Sequence, residues 1–238
     1  MLTFITFGGG GKMFYDAVER LTNQASNLNL FNNIVGYTDK DLLNDDIFND
    51  KHYNFIQNNK RGYGYWIWKP YLIKKTMEKM NDNDILLYLD CGCEIDIRKK
   101  DEIIKYIEYV KNYHIIGTET FGCLEKQWCK MDLILKLDML DDHVLNSIQR
   151  QAGLLLILVC TKTREFINEW YNLCCEYHNI DDTPSINKNL DDFIEHRHDQ
   201  SIFSLLTKKY NFIIFKKRLS LRNCINVSRN FSKISNIR

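Results

Sequence analysis

The stretch Asp84-Ile85-Leu86-Leu87-Tyr88-Leu89-Asp90-Cys91-Gly92-Cys93-Glu94 holds an unbroken apolar and aromatic run that ends at a carboxylate. A short run of this kind, bounded by polar residues, is typical of a strand buried on both faces of a parallel sheet. Such a strand delivers its C-terminal residue to the crevice where open α/β sheets bind ligands. We therefore expect Asp90 at a ligand site, with Gly92 leaving room for a ligand near the backbone. The alternative is an aspartate that caps the following turn.

Strand-like and helix-like segments alternate outward from this stretch. The apolar spacing predicts strands at 2–7, 33–38, 84–90, 114–117, 152–159 and 212–215, and helices at 14–21, 47–56, 70–80, 103–110, 131–139, 166–174 and 200–209. Alternation of this kind favours an α/β sheet with crossover connections, flanked by helices and mostly parallel. The length of 238 residues suits one large domain, and two prolines give little support for a sharp domain boundary.

Composition and charge exclude several classes of protein. The net charge is +1, so the molecule as a whole has no strong attraction for nucleic acid or an anionic membrane. No apolar run approaches the roughly 20 residues that a membrane helix needs. The N-terminal segment lacks a basic region before its apolar part, and we expect it to be a first strand and not a signal peptide. The eight cysteines include no Cys-x-x-Cys pair, and we expect reduced thiols and a cytoplasmic location, host cytoplasm for a viral protein.

The glycine run after the first predicted strand matches neither common phosphate loop. A P-loop needs a hydroxyl residue after Gly-Lys, and the dinucleotide fingerprint needs a third glycine; both requirements fall on Met13. Asp39, near the end of the second strand, leaves a Rossmann-type site open. We interpret residues 8–11 as a strand-to-helix turn, and expect Thr6 and Gly8 to lie where a nucleotide would bind.

A second segment, Lys60–Tyr71, combines glycines with aromatic and cationic residues. Such a segment is costly to order unless packing or a ligand fixes it. Aromatic faces stack on sugars or bases, and Arg61 or Lys69 would pair with phosphates. The alternative is a core-packing corner. We expect Trp66 and Trp68 to differ, one being buried and the other lining a cleft.

The third segment is Glu195–Ser201, which contains His196, His198 and Asp199. Imidazoles two residues apart beside a carboxylate fit metal ligands or a general base. Histidines that fill polar corners, and an Asp199 that caps the next helix, are the alternatives.

The C-terminal residues 216–238 carry several cations and no acid. A solvated or partly disordered tail is one interpretation, and a segment that binds phosphates or a membrane surface is the other.

Together these segments resemble a glycosyltransferase of the GT-A type, in particular the small polysaccharide-building enzymes of bacteria and giant viruses. The resemblance rests on an Arg-Gly-x-Gly-Tyr-Trp-x-Trp-Lys-Pro block at Arg61–Pro70, a strand end at Tyr88–Cys93 and a His-x-His-Asp-Gln element at His196–Gln200. It covers roughly residues 1–215 and leaves out the basic tail at 216–238. It implies a single GT-A-like (Rossmann-like) α/β domain.

The resemblance also implies a metal site and a reaction. Family members hold a divalent metal, Mn²⁺ or Mg²⁺, through an Asp-x-Asp signature; here Asp90 matches the first aspartate and Gly92 replaces the second. We expect His198 or His196 to supply the missing ligand, with Glu94 or Asp96 as further candidates. Oxygen and imidazole ligands suit such an ion.

The implied reaction transfers a sugar from a nucleotide-diphosphate donor, with a UDP-sugar expected, to a hydroxyl of a glycan or other glycoconjugate. Its binding residues would be Thr6, Gly8, Arg61, Trp66, Trp68, Lys69 and Gly92. Asp199 would be the base of an inverting reaction, beside Asp90. A non-catalytic nucleotide-sugar-binding module is one alternative, and a nucleic-acid-binding protein, disfavoured by the net charge, is another.

Overall fold

The computed structural model describes residues 1–213 and 220–237. Within those ranges the strands are β1 (Leu2–Gly8), β2 (Asn33–Thr38), β3 (Ile85–Leu89), β4 (Glu94–Ile95), β5 (Ile115–Ile116), β6 (Glu119–Leu124), β7 (Ile148–Arg150), β8 (Leu154–Leu158) and β9 (Ile225–Asn226). The helices and single helical turns are α1 (Lys12–Asn27), α2 (Asp39–Leu43), α3 (Asp46–Asn58), α4 (Gly62–Tyr65), α5 (Trp68–Met77), α6 (Lys100–Tyr113), α7 (Glu125–Trp128), α8 (Met131–Lys136), α9 (Asp142–Leu145), α10 (Thr161–Cys175) and α11 (His198–Lys209).

A five-stranded sheet in the order β2-β1-β3-β8-β5 forms the centre of the molecule. β2 and β3 are parallel to β1, β8 is antiparallel to β3, and β5 is antiparallel to β8. Every strand of this sheet except β8 therefore runs in one direction. The predicted α/β class, with a mostly parallel sheet flanked by helices, is confirmed.

The two faces of the sheet are buried under different helices, as the alternation of side chains along a strand requires. In β3, Leu86 and Tyr88 join a core that includes apolar residues of α5, α10 and α11. Ile85, Leu87 and Leu89 join a second core with residues of α1 and α6. Burial on both faces explains why this strand is apolar without interruption.

The strand order creates the crevice that positions the site. The chain leaves β1 for β2 on one side and returns to β3 on the other, so the carboxyl ends of β1 and β3 flank a topological switch point. Asp90 follows β3 at this edge, and Gly9 follows β1. Because β8 runs the opposite way, its first residues reach the same edge, and Leu154 pairs with Leu89.

The C-terminal segment 220–237 packs on the body of the protein. β9 pairs with β4, and Leu221, Cys224 and Ile225 are buried in the second core. An interpretation as a solvated tail is therefore wrong for these residues, because their apolar side chains cover a sheet face. Residues 214–219 and Arg238 lie outside the described part of the chain, as does the second half of the strand expected at 212–215. Phe212 is buried without forming a strand.

None of the helices within residues 1–213 and 220–237 has the length and apolar character needed to cross a bilayer.

Candidate functional site

Three charged side chains from distant parts of the chain meet at the carboxyl end of β3. Lys69 Nζ lies 3.4 Å from Asp90 Oδ1 and 3.0 Å from Asp199 Oδ2. The Lys69 and Asp199 side chains are each 4% exposed, whereas that of Asp90 is 42% exposed. A buried ammonium thus links a buried carboxylate to a carboxylate that solvent can reach.

The environment of this group sets its charges. Burial raises the pKa of Asp199 to about 6, against the opposing influence of Lys69. Burial alone would lower the pKa of Lys69, but the charges of Asp199 and Asp90 outweigh it and the net shift is upward. Lys69 is therefore charged at neutral pH. With both carboxylates ionised, the group carries a net charge of −1.

Two neighbours fix the carboxylate of Asp90. The Tyr88 hydroxyl donates a hydrogen bond to Asp90 Oδ1. On the other side, a Cβ atom at Gly153 would lie 2.2 Å from Asp90 Oδ2, so only glycine fits there. The backbone N–H of Asp90 also donates to the carbonyl of Gly153, at 2.9 Å. The sequence did not identify Gly153 as part of this site. The one feature that could have indicated it is its position immediately before a buried strand.

The first part of the Arg61–Pro70 block forms a left-handed turn. All residues from Gly62 to Trp66 have positive φ, between 52° and 82°. The turn is closed by backbone hydrogen bonds, including Trp66 N–H to the carbonyl of Gly62 at 3.1 Å. For a non-glycine residue this conformation costs about 1–2 kcal/mol. Strain of this size persists only where the surroundings enforce it, and it is concentrated at functional sites.

Trp66, the last residue of this turn, and Trp68, two residues further on, differ in burial, as predicted. Trp68 is buried; its indole lies 4.0 Å from the ring of Phe7 and its Nε1–H donates to the carbonyl of Gly62 at 2.9 Å. Trp66 is half-buried and stacks on His198, with ring centroids 5.2 Å apart. Trp68 is thus a packing residue and not the predicted substrate contact, and Trp66 remains the candidate for ligand contact.

Arg61 is paired with carboxylates and is not poised for a phosphate. Its guanidinium donates to Asp182 at 3.1 and 3.2 Å and also to Glu195. The hydrogen bond that Arg61 donates to Glu195 is the main cause that raises the pKa of Arg61. One guanidinium between two carboxylates gives this group a net charge of −1.

The expected metal ligands do not come together. Both nitrogens of His196 are occupied: Nδ1 accepts from the Lys130 N–H at 3.1 Å, and Nε2 donates to the Asn179 carbonyl at 2.8 Å. Burial lowers the pKa of His196 to about 3. His198 faces Asp182, and Asp90 is bound by Lys69. Across residues 1–213 and 220–237, no three His, Cys, Asp or Glu side chains form a group that could hold a metal ion. The predicted set of Asp90, His196 and His198 does not fit Mn²⁺ or Mg²⁺, and His196 is a packing residue.

Gly8, Gly92 and Thr6 also have structural explanations. A Cβ at Gly8 would lie 2.6 Å from the carbonyl of Phe14 in α1, and one at Gly92 would lie 3.0 Å from the ring of Phe231. Thr6 is completely buried. Gly8 and Gly92 make room for α1 and for the C-terminal segment, and the substrate contacts predicted for these three residues stay predictions.

The turn after β1 is held by Asp39. Its carboxylate accepts from the N–H of Gly10 at 3.1 Å and from the Tyr15 hydroxyl at 2.7 Å. Asp39 thus fixes the entrance to α1, and this use differs from that of the acidic residue which binds ribose in a Rossmann site.

A buried arginine ties the C-terminal segment to the turn after Asp90. Arg20 donates to the carbonyls of Cys91 and Cys93 at 2.8 and 2.7 Å. It also donates to the carbonyls of Asn230 and Ser232 at 2.7 and 2.8 Å. The segment therefore helps to define the floor beside Asp90.

A cavity lies between the residues that follow β4 and the C-terminal segment, away from Asp90. It has a volume of about 530 Å³, and its walls include Asp96, Arg98, Arg222 and Asn236, but not Asp90, Lys69 or Asp199. The candidate site is thus identified by the charged side chains that meet at the switch point.

No protein-family model matches the chain, and no curated protein sequence matches it. Several solved structures resemble it, among them the following two. A glycosyltransferase involved in the glycosylation of the major capsid of the virus PBCV-1 is 12% identical, with a TM-score of 0.47, over 90% of this chain and 81% of that one. Mouse xyloside xylosyltransferase 1, in its apo form, is 9% identical, with a TM-score of 0.48, over 90% of this chain and 84% of that one. The resemblance concerns the fold alone.

Proposed function

We propose that this protein is a glycosyltransferase that moves a sugar from a nucleotide-diphosphate donor, a UDP-sugar, to a hydroxyl of a glycan or other glycoconjugate. The observation that carries this proposal is the half-exposed Asp90 at the carboxyl end of β3, backed by the buried Lys69–Asp199 pair. A carboxylate at a switch point of an α/β sheet is well placed to accept hydrogen bonds from ribose or sugar hydroxyls.

In this reaction Asp90 contacts the donor, while Lys69 and Asp199 are positioning residues. Asp199 was expected to be the base, but its carboxylate is buried against Lys69 and has little access to an acceptor hydroxyl. We assign it instead to holding Lys69 charged and in place. Lys69 in turn orients Asp90 and offsets part of the negative charge near the donor.

The leaving diphosphate needs positive partners, because the Asp90 group itself is net negative. Two features support an anion site at this edge. α1 begins at Lys12, next to the turn, and backbone N–H groups at a helix start favour anions. Arg229 is exposed, and its Cα lies 3.1 Å from a Cβ built at Gly92, two residues from Asp90. The phosphate-binding interpretation of the basic C-terminal residues thus has a candidate in Arg229. Because the predicted ligands do not fit a metal, we include no metal-dependent step.

A thermal-shift screen of nucleoside diphosphates and their sugars tests this proposal. A ligand at 100 times its Kd stabilises a protein by about 2.7 kcal/mol. In a domain of this size that corresponds to a rise in Tm of about 5–10 °C. We expect such a rise for UDP and a UDP-sugar, and a smaller one in Arg229→Ala. The absence of a shift with every nucleotide would contradict the proposal.

A non-catalytic nucleotide-sugar-binding module is the second candidate, and the burial of Asp199 favours it. The distinguishing measurement is release of UDP from the donor, with and without acceptor sugars. Binding without any release would support the module.

A further inference from the structure

A second polar group lies beside the left-handed turn, and the proposed reaction does not yet use it. We call it the Arg61 cluster: Arg61, Trp66, Asp182, Glu195 and His198. The Arg61, Asp182 and Glu195 side chains are 47%, 43% and 43% exposed, so the upper part of the cluster faces solvent. His198 lies beneath them and is almost fully buried.

His198 carries a buried nitrogen that lacks a partner. Its Nδ1 lies 2.7 Å from the carbonyl oxygen of Ile180, which can only accept, so Nδ1 bears the proton. Nε2 therefore presents a lone pair, and it has no hydrogen-bond partner. It faces Asp182 Oδ1 at 3.9 Å, which is too far for a hydrogen bond and is also an acceptor. Asp182 Oδ1 already accepts from Arg61, so Nε2 is the atom that lacks a donor, and a ligand hydroxyl could donate its one proton there.

Aromatic rings form the wall of this group. The imidazole of His198 stacks on Tyr65 and on Trp66, with ring centroids 5.0 and 5.2 Å apart. Tyr65 is buried, whereas Trp66 keeps part of its ring accessible. His198 itself has φ of +52°, so strained backbone occurs on both sides of the stack. The indole also lies against Gly62, where a Cβ would be 2.5 Å from the ring, so a sugar ring would pack on the part of Trp66 that stays exposed.

The charge of the cluster excludes a phosphate. One guanidinium faces two carboxylates, which leaves a net charge of −1. A diphosphate would be repelled by Asp182 and Glu195, whereas a neutral polyhydroxyl ligand could donate to both carboxylates and accept from Arg61. The chemistry that fits is therefore a neutral sugar ring.

We infer that the Arg61 cluster is the subsite for the acceptor sugar. Trp66 packs against one face of the ring, Asp182 and Glu195 accept from its hydroxyls, and His198 Nε2 accepts from the hydroxyl that reaches deepest. The cluster is connected to the donor site, because His198 precedes Asp199 and the Trp66 carbonyl accepts from the N–H of Lys69 at 2.9 Å. That the bound sugar is an acceptor rests on the proposed function; that the cluster binds a neutral sugar does not.

Saturation-transfer NMR with the whole chain tests this inference. The probes are methyl glycosides of glucose, galactose, mannose and xylose at millimolar concentration, without nucleotide. We expect at least one of them to bind, and the exposed-site variants Asp182→Asn and Glu195→Gln to weaken it about tenfold, as loss of a hydrogen bond to a charged group does. His198→Asn, which tolerates a left-handed backbone, should weaken it as well. Asp192→Asn, which changes another half-exposed carboxylate of the same loop, is the matched control and should bind like wild type.

Several outcomes would overturn the inference. If none of the four glycosides binds, or if all variants bind like wild type, the cluster is structural and a water satisfies His198. If Asp182→Asn and Glu195→Gln bind UDP more tightly than wild type does, the cluster meets the diphosphate instead. The thermal-shift screen keeps the two proposals apart: variant-sensitive glycoside binding without any nucleotide binding would leave the sugar site standing and remove the proposed function.

Discussion

The ammonium of Lys69 lies 3.0 Å from a carboxylate oxygen of Asp199, and both side chains are buried. The two residues are 130 positions apart in the chain, on α5 and α11. Burying one charge without the other would be costly, so each residue requires its partner. The pair therefore ties the two helices to the end of β3, where Asp90 is the third member of the group.

Removing one member of the pair should destabilise the fold. Lys69→Met leaves Asp199 buried without a counter-ion, and the loss of one partner of a buried pair costs about 3–5 kcal/mol. We expect urea unfolding to show this loss for Lys69→Met and a clear recovery in Lys69→Met/Asp199→Leu, which removes both charges. Equal destabilisation in the single and the double variant would show that the two side chains are not coupled.

The Asp199 carboxyl should make stability depend on pH. Burial raises its pKa from 3.8 to about 6, so between these values the folded state binds more protons than the unfolded state. Stability therefore falls as pH rises through this interval, and this group contributes no slope below it or above it. Asp199→Asn should remove that fall. Unfolding midpoints measured across the interval check the sign, and an identical slope in both proteins would contradict it.

Asp90→Asn should abolish donor binding and turnover while the protein remains folded, because the side chain is 42% exposed and lies at the end of a strand. Gly153→Ala should also lose donor binding, since its Cβ would collide with the Asp90 carboxylate. Thermal-shift titration with UDP measures both. Gly122→Ala is a control for backbone strain alone: no atom lies within 4 Å of a Cβ built there, but its φ of +78° should cost about 1–2 kcal/mol of stability without changing donor binding. Normal turnover in Asp90→Asn would make Asp90 structural.

Manganese should bind poorly to the protein in the absence of nucleotide. Only Asp90 of the predicted ligand set faces the donor site with an accessible carboxylate, and a hard divalent ion needs several oxygen or nitrogen ligands. Isothermal titration with Mn²⁺ should therefore show no saturable binding. His196→Ala should lower stability, because it leaves the Lys130 N–H and the Asn179 carbonyl without partners, and should leave the calorimetric trace unchanged. Saturable Mn²⁺ binding that His196→Ala removes would restore the histidine metal site.

The two tryptophans should respond differently to truncation. Trp68→Ala empties a buried position against Phe7 and should cost about 3–5 kcal/mol of stability. Trp66→Ala should cost about 1 kcal/mol and instead weaken glycoside binding. Denaturation curves and saturation-transfer NMR on the same two variants separate these effects. A large stability loss in Trp66→Ala with glycoside binding unchanged would place Trp66 in the core.

The local pattern of the sequence was sufficient for three neighbouring strands of the central sheet and for the position of Asp90 at the end of one of them. The unbroken apolar run at 84–90 predicts a doubly buried strand because burial on both faces demands apolar residues at every position. β1, β2 and β3 and the helices α5, α6, α10 and α11 follow from the same kind of short-range pattern. The blocks at Arg61–Pro70 and His196–Gln200 carried the resemblance from which the GT-A-like fold was predicted.

Only the tertiary structure decided which of the marked residues meet. The sequence places two tryptophans in the Arg61–Pro70 block, but it does not show the left-handed turn that ends at Trp66, nor that Trp66 is half-buried and Trp68 buried. The segment Glu195–Ser201 contains two histidines, and packing occupies both nitrogens of His196 while leaving Nε2 of His198 without a partner. Gly153 matters only because β8 runs antiparallel and brings it against Asp90. Distances between side chains far apart in the chain depend on how the helices pack across the sheet, and no local periodicity encodes them.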